Sequence, residues 1–291
     1  MIALRFQLTS PFSGDLGFSG VPLRAAFLNL LRESDEQLSN EVHDSDDVRT
    51  YALDPFPLDS RLQTLLREGE RCEFGVNLFK AEQVERALRG IALKPHRDLR
   101  IHQYAFPLNR IDFSRSDPEK LMSSWSQLVP ANVSSPVIVR MRFTTPTQLS
   151  HYGTGRAYLV PTPDKVFSGL LRVWNTVEKA TKLAEVSDYR DWVDSNVYIS
   201  AHRLRTVRVS LGRSRSFVGF VGNVTYQIDD SRDPLSRFTV GLARFGEMCN
   251  VGKNRTAGMG RIVVSIGGQD TREEGASASE GVRFQRVSSS G

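Results

Sequence analysis

The chain has 291 residues, of which 40% are hydrophobic and 24% charged, and carries a formal net charge of +5. That length suits two domains of ordinary size, and the composition is that of a globular protein rather than a disordered or fibrous one. No apolar run reaches the roughly 18 residues that span a bilayer. The N-terminus, Met1 to Phe6, sets Arg5 inside a short apolar stretch, unlike a secretory signal, so a non-membrane, cytoplasmic protein is expected.

In chain order, Ile2 to Thr9 reads as a strand, and Pro22 to Arg32 as a helix with Leu23, Phe27, Leu30 and Leu31 on one stripe. A short helical turn over Asp35 to Glu41 precedes a strand at Val48 to Leu53. Cys72 to Phe79 alternates as a strand, Ala81 to Arg89 is a helix closed by Gly90, and Arg100 to Phe106 is a strand. The polar region Ser114 to Ser135 is expected to hold a helix through Leu121, Trp125 and Leu128 and to end at the domain boundary.

The order then repeats. Strands are expected at Pro136 to Thr144, Val197 to Ser210, Phe217 to Ile228 and Arg261 to Ile266, and helices at Asp164 to Ala184 and Pro234 to Met248. Each half reads β-α-β-β-α-β, which predicts an α+β protein of two tandem ferredoxin-like (RRM-like) domains, residues 1–130 and 136–266. The Gly/Ser/Glu-rich stretch 267–291 has little apolar content and is expected to be a flexible tail.

The basic residues are unevenly divided: 31 of the 38 are Arg. Arg grips phosphate with a planar fork and stacks on bases, although GC-rich coding also inflates its use. The two cysteines, Cys72 and Cys249, lie in apolar surroundings without metal-ligand spacing and are expected as buried free thiols. The paired carboxylates Asp46-Asp47 and Asp229-Asp230 lack a second ligand set, so neither a metal site nor a cofactor is read.

The most specific segment is Cys249 to Arg261, between the last helix and the last strand. Gly252, Gly258 and Gly260 permit positive φ and close backbone approach, and Lys253, Arg255 and Arg261 add charge to N–H groups that can face phosphate. Helix-loop-strand order, with no Lys-Ser/Thr after the second glycine, separates it from a Walker loop.

This loop, Asn250-Val-Gly-Lys-Asn-Arg-Thr-Ala-Gly-Met-Gly260, together with Phe217-Val-Gly-Phe-Val-Gly-Asn-Val-Thr-Tyr226, resembles the C-terminal signature of the CRISPR-associated precursor-RNA endoribonucleases of the RAMP superfamily. Phe143 to Thr147 with Pro161, Pro163, Val166, Phe167 and Leu170 is similar to the start of that family's second domain, and Tyr189 to Val193 with Asn196 and Val197 to its middle. The likeness is good over residues 136–266 and loose before. It implies binding of CRISPR repeat RNA and metal-independent cleavage by 2′-OH attack, leaving 2′,3′-cyclic phosphate and 5′-OH ends. Other subunits of a CRISPR effector complex are further possible partners.

That chemistry needs a proton acceptor and donor, for which imidazole is suited, and a cation for the charged phosphorane. The resemblance points to His43 as the acid/base residue, in an apolar-His-Asp step, and to Arg49 as the cation where the family often has Lys. The first helix lacks the tyrosine some members carry; Tyr51 is the alternative third member. His151 is a weaker catalytic candidate, while His96 and His102 read as structural. The RNA contacts are expected from Gly252, Lys253, Asn254, Arg255, Gly258, Gly260 and Arg261, with Arg203 and Arg205 as a strip and Arg213 and Arg215 beside it. A non-catalytic RAMP subunit that scaffolds guide RNA is the alternative. A generic tandem RRM is not supported, because aromatics in RNP order are missing from the central strands.

Overall fold

The computed structural model describes residues 1–43, 48–92, 98–112, 128–131, 133, 135–177, 184–212 and 215–267. The first half contains β1 (Ile2–Thr9), β2 (Gly14–Asp15), α1 (Gly20–Ser34), α2 (Glu36–His43), β3 (Tyr51–Asp54), β4 (Leu65–Leu66), β5 (Arg71–Leu78), α3 (Ala81–Ala92), β6 (Asp98–Ile101) and β7 (Tyr104–Asp112). Its main sheet has the order β3-β5-β1-β7-β6, and β2 and β4 form a separate two-residue ribbon. β1 pairs with β5 in unbroken antiparallel register from Ile2↔Leu78 to Thr9↔Arg71. Leu4, Phe6 and Leu8 all point inward, and Phe6 stacks on Phe74 with ring centroids 4.6 Å apart.

The second half contains β8 (Val137–Thr147), β9 (Leu149–Ser150), β10 (Ala157–Tyr158), α4 (Pro163–Val177), α5 (Val186–Asn196), β11 (Val197–Ser210), β12 (Ser216–Ile228), α6 (Pro234–Cys249) and β13 (Ile262–Ile266). Its sheet order is β11-β12-β8-β13. Numbered as the four strands of one unit, both halves have the antiparallel order 2-3-1-4, so the molecule is two tandem ferredoxin-like folds.

Two sequence expectations change. The strand placed at Arg100 to Phe106 is a hairpin, β6 turning into β7 at His102, whose φ is 55°. Alternation continues through the turn on both sides, which hides it. The helix placed at Asp164 to Ala184 is described only to Val177; residues 178–183 lie outside the described residues and Ala184 is not helical. α5 then follows in a polar stretch that shows little periodicity, because only Tyr189 and Val193 are buried. Tertiary hydrogen bonds anchor it: Tyr189 Oη to Thr239 Oγ1 at 2.8 Å, and Trp192 Nε1 donating to Asp233 Oδ2 at 2.8 Å. The helix expected through Leu121 and Trp125, and the tail from 268, lie outside the described residues.

Each half is built around a cluster of its own, the second also taking in Ala52 and Phe79 of the first half, and a third apolar cluster joins them further. Phe18 and Leu62 of the first half cover Val207, Val209, Phe217 and Val221 at the tip of the β11–β12 hairpin, with Met259 of the glycine loop between. Among the described residues no helix is long and apolar enough to cross a membrane.

Candidate functional site

His43 is the last residue of α2 and is exposed. Leu38 and Val42 bury the opposite face of that helix, and Ser39 Oγ donates to Leu28 O of α1 at 3.0 Å. Asp35 starts the helix by accepting from Leu38 N at 2.8 Å. Arg86 of α3 then clamps both ends of α2. Its Nε and Nη2 each lie 2.8 Å from an Asp35 oxygen, and its Nη1 lies 2.9 Å from Glu41 Oε2. The forked guanidinium suits a bidentate grip on Asp35 that leaves Nη1 for Glu41. Arg86 is the leading reason the Asp35 carboxyl titrates below its ordinary value, helped by the Leu38 N–H. A short amphipathic helix, too short to persist alone, is thereby held rigidly with an imidazole at its tip.

Arg49 precedes β3 and is half-buried, with its carbonyl accepting from Arg255 Nη2 at 3.0 Å. Tyr51 lies in the core, between α1 and the glycine loop. It is 2% exposed, packs against Phe27 at 5.8 Å, and burial raises its phenol pKa. Its hydroxyl meets Thr256 of the glycine loop, while the charges of Arg24 and Arg49 partly offset the effect of burial. A second guanidinium, that of Arg24 on α1, therefore lies in the same neighbourhood as Arg49. Sequence reading sought a tyrosine in that helix and missed Arg24; the available signal was a cation next to the buried stripe.

The glycine loop divides into two parts. Gly252, Asn254 and Arg261 are exposed, and Lys253 is half-buried. Its ammonium donates to Gly155 O at 2.6 Å, and Arg261 Nε lies 3.4 Å from Asp54 Oδ1. Arg255, Gly258 and Gly260 were expected to face RNA, yet all three are buried. Arg255 donates to Cys249 O at 2.8 Å as well as to Arg49 O, and burial lowers its pKa. Both bonds go to backbone carbonyls of the surrounding fold, so the buried guanidinium acts as a strut between the loop and the first half. Gly258 has φ +76°, and a Cβ there would sit 2.8 Å from Pro55 Cδ. Gly260 has φ +74°, and its Cβ would collide with Val251 O. Gly258 lets the loop press on Pro55 of the first half, and Gly260 lets the loop close on Val251 while its N–H bonds Pro146 O. Asn250 completes the strap, donating from Nδ2 to Leu53 O at 3.0 Å, and Asn77 returns a 2.7 Å bond to Met248 O.

The outer face of the second sheet carries a basic ladder. Arg203 of β11 stands opposite Asn223, which stands opposite Arg142 of β8, which stands opposite Val263. Arg140 lies two residues along β8 on the same exposed face. Arg205 faces the same way but donates to Ser60 O at 2.9 Å, so it fastens the halves together. Arg140 and Arg142 were missed, although they occupy the opposite phase to the apolar residues of β8. His202 and Arg215 are exposed, while Arg213 and His96 lie outside the described residues. Cys72 and Cys249 are buried free thiols, both pushed by burial to about 12. Among the described residues no group of three or more His, Cys, Asp or Glu could hold a metal ion.

Residues 141–262 match the family model of the CRISPR-associated endoribonuclease Cas6. A Cas6 product complex superposes with a TM-score of 0.68 at 20% identity, covering 91% of this chain and 99% of that one. Thermus thermophilus Cas6 gives 0.62 at 19% identity, covering 91% and 98%. A RAMP protein described as binding different RNA substrates gives 0.58 at 11% identity, covering 91% and 100%. No curated protein matches the chain by sequence. The family match falls on the segments Phe143 to Thr147 and Asn250 to Gly260 that carried the resemblance, and the structural likeness extends the tandem ferredoxin-like fold over both halves.

Proposed function

We propose that this chain, whose residues 141–262 are of the Cas6 endoribonuclease type, cleaves CRISPR repeat RNA without a metal ion, in a cytoplasmic setting. In this reading residues 1–130 form the catalytic half, and 136–266 the half that grips the RNA. His43 removes the proton from a ribose 2′-OH and a proton is returned to the leaving 5′-oxygen, giving a 2′,3′-cyclic phosphate and a 5′-OH end. Arg49, with Arg24 acting on the same Tyr51 phenol, offsets the charge that grows on the phosphorane. Gly252, Lys253, Asn254 and Arg261 line the exposed part of the loop, and Arg203, Arg140 and Arg142 supply a guanidinium face for phosphates.

The observation that carries this reading is the pairing of the Cas6-type second half with an exposed imidazole on a doubly clamped helix. A purely scaffolding subunit has no need to immobilise a histidine at a helix tip. The solved likenesses include a Cas6 product complex, a Cas6 substrate-mimic complex and a RAMP protein binding RNA, which supports RNA as the partner.

The test uses repeat RNA in chelator. Wild type is expected to cut it and leave a cyclic phosphate, and His43→Ala to bind it without cutting. Cutting by His43→Ala at the wild-type rate removes His43 from the mechanism. Tight binding with no cutting by wild type replaces the enzyme with a guide-RNA scaffold within a CRISPR effector complex.

A further inference from the structure

The β9–β10 hairpin holds side chains that the site above does not use. Its turn is closed by His151 N donating to Arg156 O at 2.9 Å and by Gly155 N donating to His151 O at 3.1 Å. At its tip Tyr152 is 48% exposed, one of the few large apolar surfaces open to solvent. The ring is nevertheless fixed. Lys165 Nζ of α4 lies 3.5 Å from its centroid, the Arg190 guanidinium of α5 lies 5.3 Å away, and the hydroxyl donates to Asp164 O at 3.4 Å. Lys165 also lies 4.8 Å from the Tyr158 ring, which the exposed His151 meets edge-on at 5.4 Å. Although Lys165 comes within 4.0 Å of Asp164, its side chain is only 8% exposed. Its charge is therefore covered by rings rather than by water.

Lys165 occupies one face of a fixed ring that is still half open to solvent; a base that stacks on the open area finds the charge its phosphate needs close by. Because the ring is already held, stacking costs little further side-chain entropy. The position fits a polynucleotide that also crosses the glycine loop. Lys253 joins the two elements twice, through Nζ to Gly155 O at 2.6 Å and through N–H to Gln148 O at 2.8 Å. Gly155 and Tyr152 share the same hairpin turn, so the Lys253 contacts set the exposed Gly252 and Asn254 next to the hairpin that carries Tyr152.

We propose that this hairpin is a second RNA subsite, in which one unpaired base stacks on Tyr152 while Arg156 and Arg190 meet the flanking phosphates. The proposal rests on the RNA-nuclease reading and adds to it a single-stranded segment held outside the scissile step. An acidic peptide would satisfy the cations but would leave the ring without a role.

The test is a fluorescence titration of the full chain with a short oligoadenylate carrying one 2-aminopurine. Wild type is expected to quench the probe on binding. Tyr152→Ala is expected to bind about tenfold more weakly and to lose the quench, with its melting temperature unchanged. Tyr152→Trp keeps both binding and quench, which guards against a fold defect in the alanine variant. If Tyr152→Ala binds and quenches like wild type, the subsite is refuted while the nuclease reading stands. If wild type binds neither oligoadenylate nor repeat RNA, both fall. Displacement of the probe by polyglutamate equally well from wild type and Tyr152→Ala also overturns stacking.

Discussion

Arg255 looks like a phosphate ligand in sequence and is a buried strut in the fold, so replacing it with Met separates the two roles. The side chain donates to Cys249 O at 2.8 Å and to Arg49 O at 3.0 Å, and the residue is 8% exposed. Hydrogen bonds from a charged donor contribute about 1.5–3 kcal/mol each. Against that loss stands the relief of a desolvated charge, the same effect that lowers its pKa. Methionine fills most of the volume, so a net loss of about 2–4 kcal/mol is expected. At about 2–4 °C per kcal/mol for domains of this size, the melting temperature should drop by roughly 4–16 °C. RNA affinity measured against salt gives the second readout. A lost phosphate contact would flatten the log–log slope by about 0.7–0.9, whereas Arg255→Met should leave the slope unchanged. An unaltered melting temperature together with a flatter slope would refute the assignment.

Three further outcomes are expected. Tyr51→Phe removes a buried hydroxyl and should lower stability by about 0.5–1.5 kcal/mol without slowing cleavage at saturating RNA; a rate loss of about 100-fold or more would restore the phenol to the mechanism. Arg142→Gln should reduce the salt slope of RNA binding by about 0.7–0.9, and Arg205→Gln by much less, because its guanidinium already serves Ser60 O; equal effects would show that the outer face does not discriminate between them. Arg86→Gln should loosen α2 and lower kcat while sparing KM. Because Arg86 holds the folded Asp35 pKa below the ordinary 3.8, the stabilisation is complete above that value and is lost as pH falls through the lower folded pKa. The variant should therefore be less stable at neutral pH and show a flatter acid limb in chemical denaturation, and parallel limbs would remove Arg86 from that role. With side chains 26% and 27% exposed, solvent screens the pair, so the effect on stability should be modest.

Most of the architecture was legible as pattern. The alternation of Val137, Val139, Met141 and Phe143 and the stripe of Leu23, Phe27, Leu30 and Leu31 are local signals, and each forms the element it predicts. The position of the glycine loop between a helix and a strand was equally legible. What was not legible came from residues whose environment is assembled at long range. α5 is polar by local measure and is tied down by Thr239 and Asp233 far along the chain. The Arg142–Arg203 neighbourhood exists only because two strands flank β12, a register that neither segment encodes alone.

By itself, then, the chain's periodicity determined two ferredoxin-like halves, and its loop composition pointed to the family whose pattern occupies residues 141–262. Only the tertiary structure decided which cations of that loop reach solvent and which are buried. Left-handed backbone at Asn254 and Gly258, with φ of 57° and 76°, turns residues Arg255–Ala257 toward β3 and α1. A one-dimensional motif records the charge of an arginine but not its direction, which here is set by contacts with a strand some two hundred residues earlier.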